Sequence, residues 1–314
     1  MTAAGVPLVN RASTITVGTV RIQNIGQQIG LDVWFQVRRS LKPKEPNTCD
    51  LRLYDLSPDQ RAAIQASTTG SVAAITTKGS AKKAPTTKAA ASPTVPVTIE
   101  AGYVGGTSVI FLGQMRSAQT VTDGPSTVTE LTTGDGDEAT LLARSTASFP
   151  AGASAYTVAQ QILSDMGCGP GNLASVAGVL KGTSMFTSGV VLKGNSLDHL
   201  CDLAAGCGLE VTVQNGVAQW TKLGQPVGGD AYLLSTTGPA GNTGVIGSPT
   251  IDTKGILSIK TLLLPGLSPG QAISVNAKYV QGLYRIVSIE TTGSTFDNDW
   301  SHDIQAKPYG LGVG

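Results

Sequence analysis

Hydrophobic and polar positions alternate through much of the first third of the chain. Leu31, Val33, Phe35 and Val37 interleave with Asp32, Trp34, Gln36 and Arg38, the two-residue period of a strand with one buried side. Asn47 to Leu56 repeats it, with Cys49, Leu51, Leu53 and Asp55 set against Asp50, Arg52 and Tyr54. Ile15, Val17, Val20 and Ile22 give a similar run broken at Gly18. Further strands are predicted at 97–103, 108–116, 116–121 and 126–133. They turn at Val104-Gly-Gly-Thr107 and Thr122-Asp-Gly-Pro125, where glycine supplies positive φ. Gly134-Asp-Gly-Asp137 closes this sheet, and Glu138 to Arg144 reads as a short helix.

The period changes in the middle of the chain. Ser57, Pro58 and Gln60 form a capping-box start for a short helix. Val158, Ile162, Leu163 and Met166 share one helical face that ends at Gly167, a natural left-handed cap. Leu197, Leu200, Cys201 and Ala204 point inward from a second helix. Leu209 to Trp220 is a hairpin turning through Asn215-Gly216. Strand signals return at 255–259, 271–275, 282–290 and 299–306. Residues 66–96, rich in Ala, Ser, Thr and Lys and without a usable period, read as a flexible insertion. The expected fold is mainly β with a small α+β module. A first domain spans 1–148, a middle helix/hairpin domain 149–224 and a second β domain 225–314.

Composition narrows the function classes. Charged residues are 14% and the net charge is +1, so no bulk attraction to nucleic acid or an anionic membrane is implied. Cys49, Cys168, Cys201 and Cys207 form no Cys-x-x-Cys pair, and only two histidines accompany them. Free thiols in a reducing cytosol are expected, with no metal site. The longest apolar runs, such as Leu262–Leu264, fall far short of a membrane span, and no secretory signal opens the chain.

The search for chemistry yields few candidates. Gly134-Asp-Gly136 and Gly167-Cys-Gly169 lack the strand-to-helix context of a phosphate loop and read as turns. His199 and His302 have no marked nucleophile or orienting acid. Asp135, Asp137 and Glu138 are the tightest acidic cluster; they suit helix capping, calcium binding or the acid pair of a glycosidase. Trp34, Trp220 and Trp300 each sit on a strand, as core or interface anchors. No catalytic, cofactor-binding or metal residue is assigned, and the subunit interface is not readable.

The order of motifs resembles phage tail baseplate hub proteins. Tyr54-Asp-Leu-Ser-Pro58 enters a helix. Ile99-Glu-Ala-Gly-Tyr103, Ile110-Phe-Leu-Gly-Gln-Met-Arg116 and Thr133-Gly-Asp-Gly-Asp-Glu-Ala139 follow. The segment from Val190 to Val211, then Gly244-Val-Ile-Gly-Ser-Pro249, Leu262 to Gly270 and Gly282-Leu-Tyr-Arg-Ile286 complete the likeness. The resemblance spares only the 66–96 insertion.

What the resemblance implies is a homotrimer and a structural virion protein rather than an enzyme. Two tube-like β-barrel domains per subunit would flank the middle domain and ring a central channel. The ring would join the sixfold tail tube above to a threefold spike below and let DNA pass without specific binding. No spike repeat or lysozyme-like segment is present, so a separate spike protein is implied, along with other baseplate partners. The protein would be made in the bacterial host cytoplasm and act in the virion. Two alternatives stay open. One is another tail component, such as a tube initiator or distal tail protein. The other is a tail-associated peptidoglycan hydrolase working through Asp135 or Glu138.

Overall fold

The computed structural model describes residues 8, 10–26, 28, 30–72, 95–135, 142–182, 186–236 and 241–309. The first part holds β1 (Arg11–Val17), β2 (Val20–Ile25), β3 (Val33–Ser40), β4 (Thr48–Tyr54), α1 (Pro58–Val72), β5 (Pro96–Tyr103), β6 (Gly106–Asp123) and β7 (Ser126–Gly134). The capping box forms as its residue types dictate. Gln60 N–H donates to Ser57 Oγ at 3.2 Å, and Ser57 N–H donates to Gln60 Oε1 at 3.0 Å. Three details differ from the sequence reading. The two strands expected at 108–116 and 116–121 are one, because a bulge at Met115/Ser117 bends β6 without ending it. Asp55 does not continue the inward row of β4: it turns at φ 51° and its carboxylate accepts from Thr127 N–H at 2.8 Å. Arg144 opens a strand rather than ending a helix; residues 138–141 of that expected helix, 136–137 of the turn before it, and 73–94 of the insertion lie outside the described residues.

The middle part holds β8 (Arg144–Phe149), α2 (Ala155–Met166), a 3₁₀ turn (Leu173–Val176), α3 (Ala177–Gly182), β9 (Val190–Asn195), α4 (Ser196–Gly206), β10 (Leu209–Gln214) and β11 (Val217–Lys222). Helix α2 buries Val158, Ile162, Leu163 and Met166 and stops at Gly167, whose φ of 66° is left-handed. The β10–β11 turn has Asn215 at φ 52° and Gly216 at φ 72°, both positive as a two-residue hairpin of this type requires. Trp220 sits at the centre of this part's own core, among Leu163, Leu180 and Leu200.

The last part holds β12 (Tyr232–Ser235), β13 (Val245–Ile251), β14 (Leu257–Leu262), β15 (Ala272–Asn276), β16 (Gln281–Ser294) and β17 (Trp300–Pro308). It does not form a sheet of its own. The strand order is β13-β14-β17-β16-β3-β4-β7-β6-β5-β1-β2, with β15 and β12 attached beyond one end of β16. The expected closure into two barrels is therefore not seen: among the described residues, first and last parts share one open sheet. The reason is the seam between β3 and β16, which pairs residues 34–40 with 288–294. Phe35 and Gly293 face each other there, and a side chain on Gly293 would stand 2.1 Å from the Phe35 ring. Glycine thus lets the ring lie across the seam, where it meets Trp300 edge-on at 5.7 Å. The sheet curls around two cores, one centred on Phe35, Leu51, Ile99 and Phe111, the other on Ile259, Ile273, Ile286 and Ile304.

Candidate assembly face

Alternation leaves every second residue of the shared sheet on the side away from those cores. Register makes these residues line up in rungs. Lys260, Asp303, Glu290, Arg38 and Thr48 form one rung across β14, β17, β16, β3 and β4. Ser301, Thr292, Gln36, Asp50, Thr132 and Ser117 form the next. Ser294, Trp34, Arg52, Glu130 and Gln119 form a third. The polar face thus crosses the seam, with Ser301 and Ser294 at the ends of the second and third rungs buried. It is concave around Arg38, Thr48, Ser258, Lys260, Glu290 and Gln305, where a trough of about 620 Å³ opens.

The charges on this face offset one another. Arg38 meets Asp50 at 3.1 Å and Glu290 at 3.8 Å, Arg52 meets Glu130 at 3.1 Å, and Lys260 meets Asp303 at 3.5 Å. Gln36 bridges Arg38 and Glu290, and Gln119 Nε2 donates to Glu130 at 2.8 Å. Arg52 also lies over Trp34, 5.2 Å from the ring centroid. These rungs carry three cations and four carboxylates. Such half-exposed pairs add little stability each. Their effect is a wall without a strong field of either sign.

The buried polar groups do something else: they fasten the middle part to the sheet. Asp135 is buried, and its Oδ2 accepts from Asn47 Nδ2 at 2.9 Å and from Asn215 N–H at 2.7 Å. Burial raises its pKa and these hydrogen bonds pull it back. Asn47 also donates to Gln214 Oε1 at 3.1 Å, and Gln214 donates to the Ser40 carbonyl at 2.8 Å. Arg285 on β16 meets Glu210 on β10 at 2.6 Å. Arg39, lowered by burial to about 10, donates to the Leu267 carbonyl at 2.8 Å. All three parts of the chain meet in this joint.

Most of the described residues nominated from sequence end in these two settings or in the cores. Asp135 belongs to the joint; Asp137 and Glu138 lie outside the described residues. His302 is fully buried between Thr291 Oγ1 at 2.8 Å and the Leu264 carbonyl at 3.1 Å, and desolvation lowers its pKa to about 4. His199 is half-buried on α4, its Nε2 without a hydrogen-bond partner among the described residues. Trp300 is core and donates to the Gly102 carbonyl at 3.2 Å, Trp220 is core, and Trp34 alone belongs to the polar face. The four cysteines are free, Cys49 and Cys168 buried. Among the described residues no group of three or more His, Cys, Asp and Glu is placed to hold a metal, and no helix is long and apolar enough to cross a membrane. Sequence reasoning found the alternation that builds the face; it missed the face's continuity, because β3 and β16 lie some 250 residues apart.

No protein-family model matches the sequence, and no curated protein matches it. Solved structures do match. The 43 kDa tail protein of prophage MuSo2 from Shewanella oneidensis superposes with a TM-score of 0.58 at 11% identity, covering 95% of this chain and 98% of that one. A tail protein from Neisseria meningitidis MC58 gives a TM-score of 0.58 at 10% identity, covering 96% of this chain and 98% of that one. The chain shares the fold of these tail proteins from end to end.

Proposed function

We propose that the protein is a structural component of a phage tail, the central hub of the baseplate, and that three copies ring a channel through which DNA leaves. In this reading the tube-like units of the resemblance are the two halves of the shared sheet, laid side by side across the β3–β16 seam. The observation that carries it is the concave polar face: continuous over both halves, hydrogen-bonded along its rungs and balanced in charge. A wall of this kind suits a polyanion that must slide past without binding, since phosphate contact by unpaired cations is what makes DNA stick. The middle part, fastened by the buried joint, then lies outside the wall. The hub would join the tail tube to a separate spike. The role in this reading is one of assembly rather than catalysis: of the two acids a hydrolase reading names, Asp135 and Glu138, Asp135 holds Asn47 and Asn215.

The test is the mass of the full chain in solution, alone and co-produced with the proteins encoded beside it. A species of three times 32.0 kDa is expected. A hexamer would move the assignment to a tube-initiator or distal tail protein, and a monomer under both conditions would overturn the hub.

A further inference from the structure

We propose that the Asn215-Gly216 turn is a site of spontaneous deamidation which the buried joint holds shut, so that a chain whose middle part comes away from the sheet is altered there and cannot reseat. The inference stands apart from the hub reading. Deamidation needs an asparagine whose following backbone nitrogen can reach its side-chain amide. A glycine in the next position leaves that path open, because it has no Cβ. Of the nine asparagines in the chain, Asn215 is followed by glycine, and the other eight precede Arg, Ile, Thr, Leu, Ser, Ala or Asp. Asn215 and Gly216 are half-buried at the tip of the β10–β11 hairpin, where the middle part meets the sheet.

The turn is gripped from three directions. From the end of β7, Asp135 accepts from Asn215 N–H at 2.7 Å and from Gly216 N–H as well. From β6, Leu112 N–H donates to Asn215 Oδ1 at 3.2 Å. From the segment after α2, Gly169 N–H donates to the Gly216 carbonyl at 2.9 Å. The reaction runs through the Gly216 nitrogen. It loses its proton and bonds to Asn215 Cγ; the Cγ–Nδ2 bond breaks, and Nδ2 leaves with that proton as ammonia. Water then opens the succinimide ring at either carbonyl, giving aspartate or isoaspartate at position 215. In the closed joint the attacking nitrogen is committed to Asp135, a base far too weak to take an amide proton. The amide it would attack is committed to β6. Both residues are also held at positive φ by the turn. Opening the joint frees all of these groups together. The product then carries a carboxylate on the turn that the buried Asp135 carboxylate must grip, and two carboxylates sharing one site disfavour each other's charge. Isoaspartate also adds an atom to the backbone at the turn.

The experiment holds three samples of the full chain in mildly alkaline buffer: the natural chain, Asp135→Ala, and the natural chain unfolded in urea. Peptide mass spectrometry reads conversion at position 215 over time. Conversion through an open form proceeds at the unfolded rate multiplied by the open fraction. The unfolded chain is expected to convert fastest and the natural chain slowest. Asp135→Ala should convert roughly thirtyfold faster than the natural chain, because the joint opens more often. If Asp135→Ala does not fold, Asn47→Ala takes its place: it leaves Asp135 intact and removes the Nδ2 donor to Asp135 and Gln214. Asn215→Asp, the product made directly, should let a protease release the middle part while the sheet stays folded. A natural chain converting at the unfolded rate would overturn the protection, as would a folded joint variant converting no faster than the natural chain. Asn215→Asp as resistant to protease as the natural chain would overturn the failure to reseat.

Discussion

The concave face and the buried joint are built from the same residue types and behave in opposite ways. On the face, Arg38, Arg52 and Lys260 keep about half of their side-chain surface in water, and their carboxylate partners 30% or more. In the joint, Arg39 and Asp135 are almost wholly enclosed. Charges in water are screened and replaceable; charges out of water need named partners. The joint and the seam therefore contribute more to holding the fold than the charges of the face do. A change that unfolds the protein and a change that spoils its function should fall in different places.

The largest effect separating the two belongs to the seam. Gly293→Val drives a side chain into the Phe35 ring and should cost about 3 kcal/mol or more, read as a lower thermal midpoint. A phenylalanine-to-leucine change at position 35 in the same chain should recover part of that loss.

Next is the pH dependence set by His302. Its folded pKa of about 4 lies below the ordinary 6.5 because burial disfavours the charged ring. Between these values the unfolded chain binds more protons. Stability is thus complete above about pH 6.5 and is lost as pH falls towards about 4, by up to about 3 kcal/mol. Denaturant melts should show this slope in the natural chain and lose it in His302→Gln; an unchanged slope would assign it to other groups.

Asp135→Ala should follow, at about 2 kcal/mol, because it strands Asn47 Nδ2 and the Asn215 N–H in the joint. Proteolysis should then release the middle part before the sheet unfolds. Smallest is the face itself. Arg38→Ala or Lys260→Ala should change stability by no more than about 1 kcal/mol. Replacing Asp50, Glu130 and Glu290 together by lysine should leave folding near normal, yet slow DNA exit from assembled particles, more at low salt than at high. Unaltered exit rates would count against a channel role.

Much of this was legible in the sequence where the physics is local. The capping box at Ser57 and Gln60, the left-handed stop at Gly167, the Asn215-Gly216 turn and the alternation of β3 each depend on residues within a few positions. What the sequence hides is pairing over distance. The seam depends on Gly293 meeting Phe35, and no period within β16 announces that. Asp135 beside Gly136 and Asp137 reads as a helix cap or an acid, since Asn47 and Asn215, its partners, are 88 and 80 residues away. Strands β8, β9 and β12 are short and lack strict alternation, so tertiary contact alone defines them. The concave polar face is an emergent property: each rung takes one residue per strand, and no single stretch contains it.

Whether this face lines the channel is decided by a density map of the assembled tail tip at side-chain resolution. Lys260, Asp303, Glu290 and Arg38 are expected in one row facing the lumen, with the joint around Asp135 on the outer side of the wall. Finding that row packed against another protein, or turned outward to solvent, would refute the channel wall.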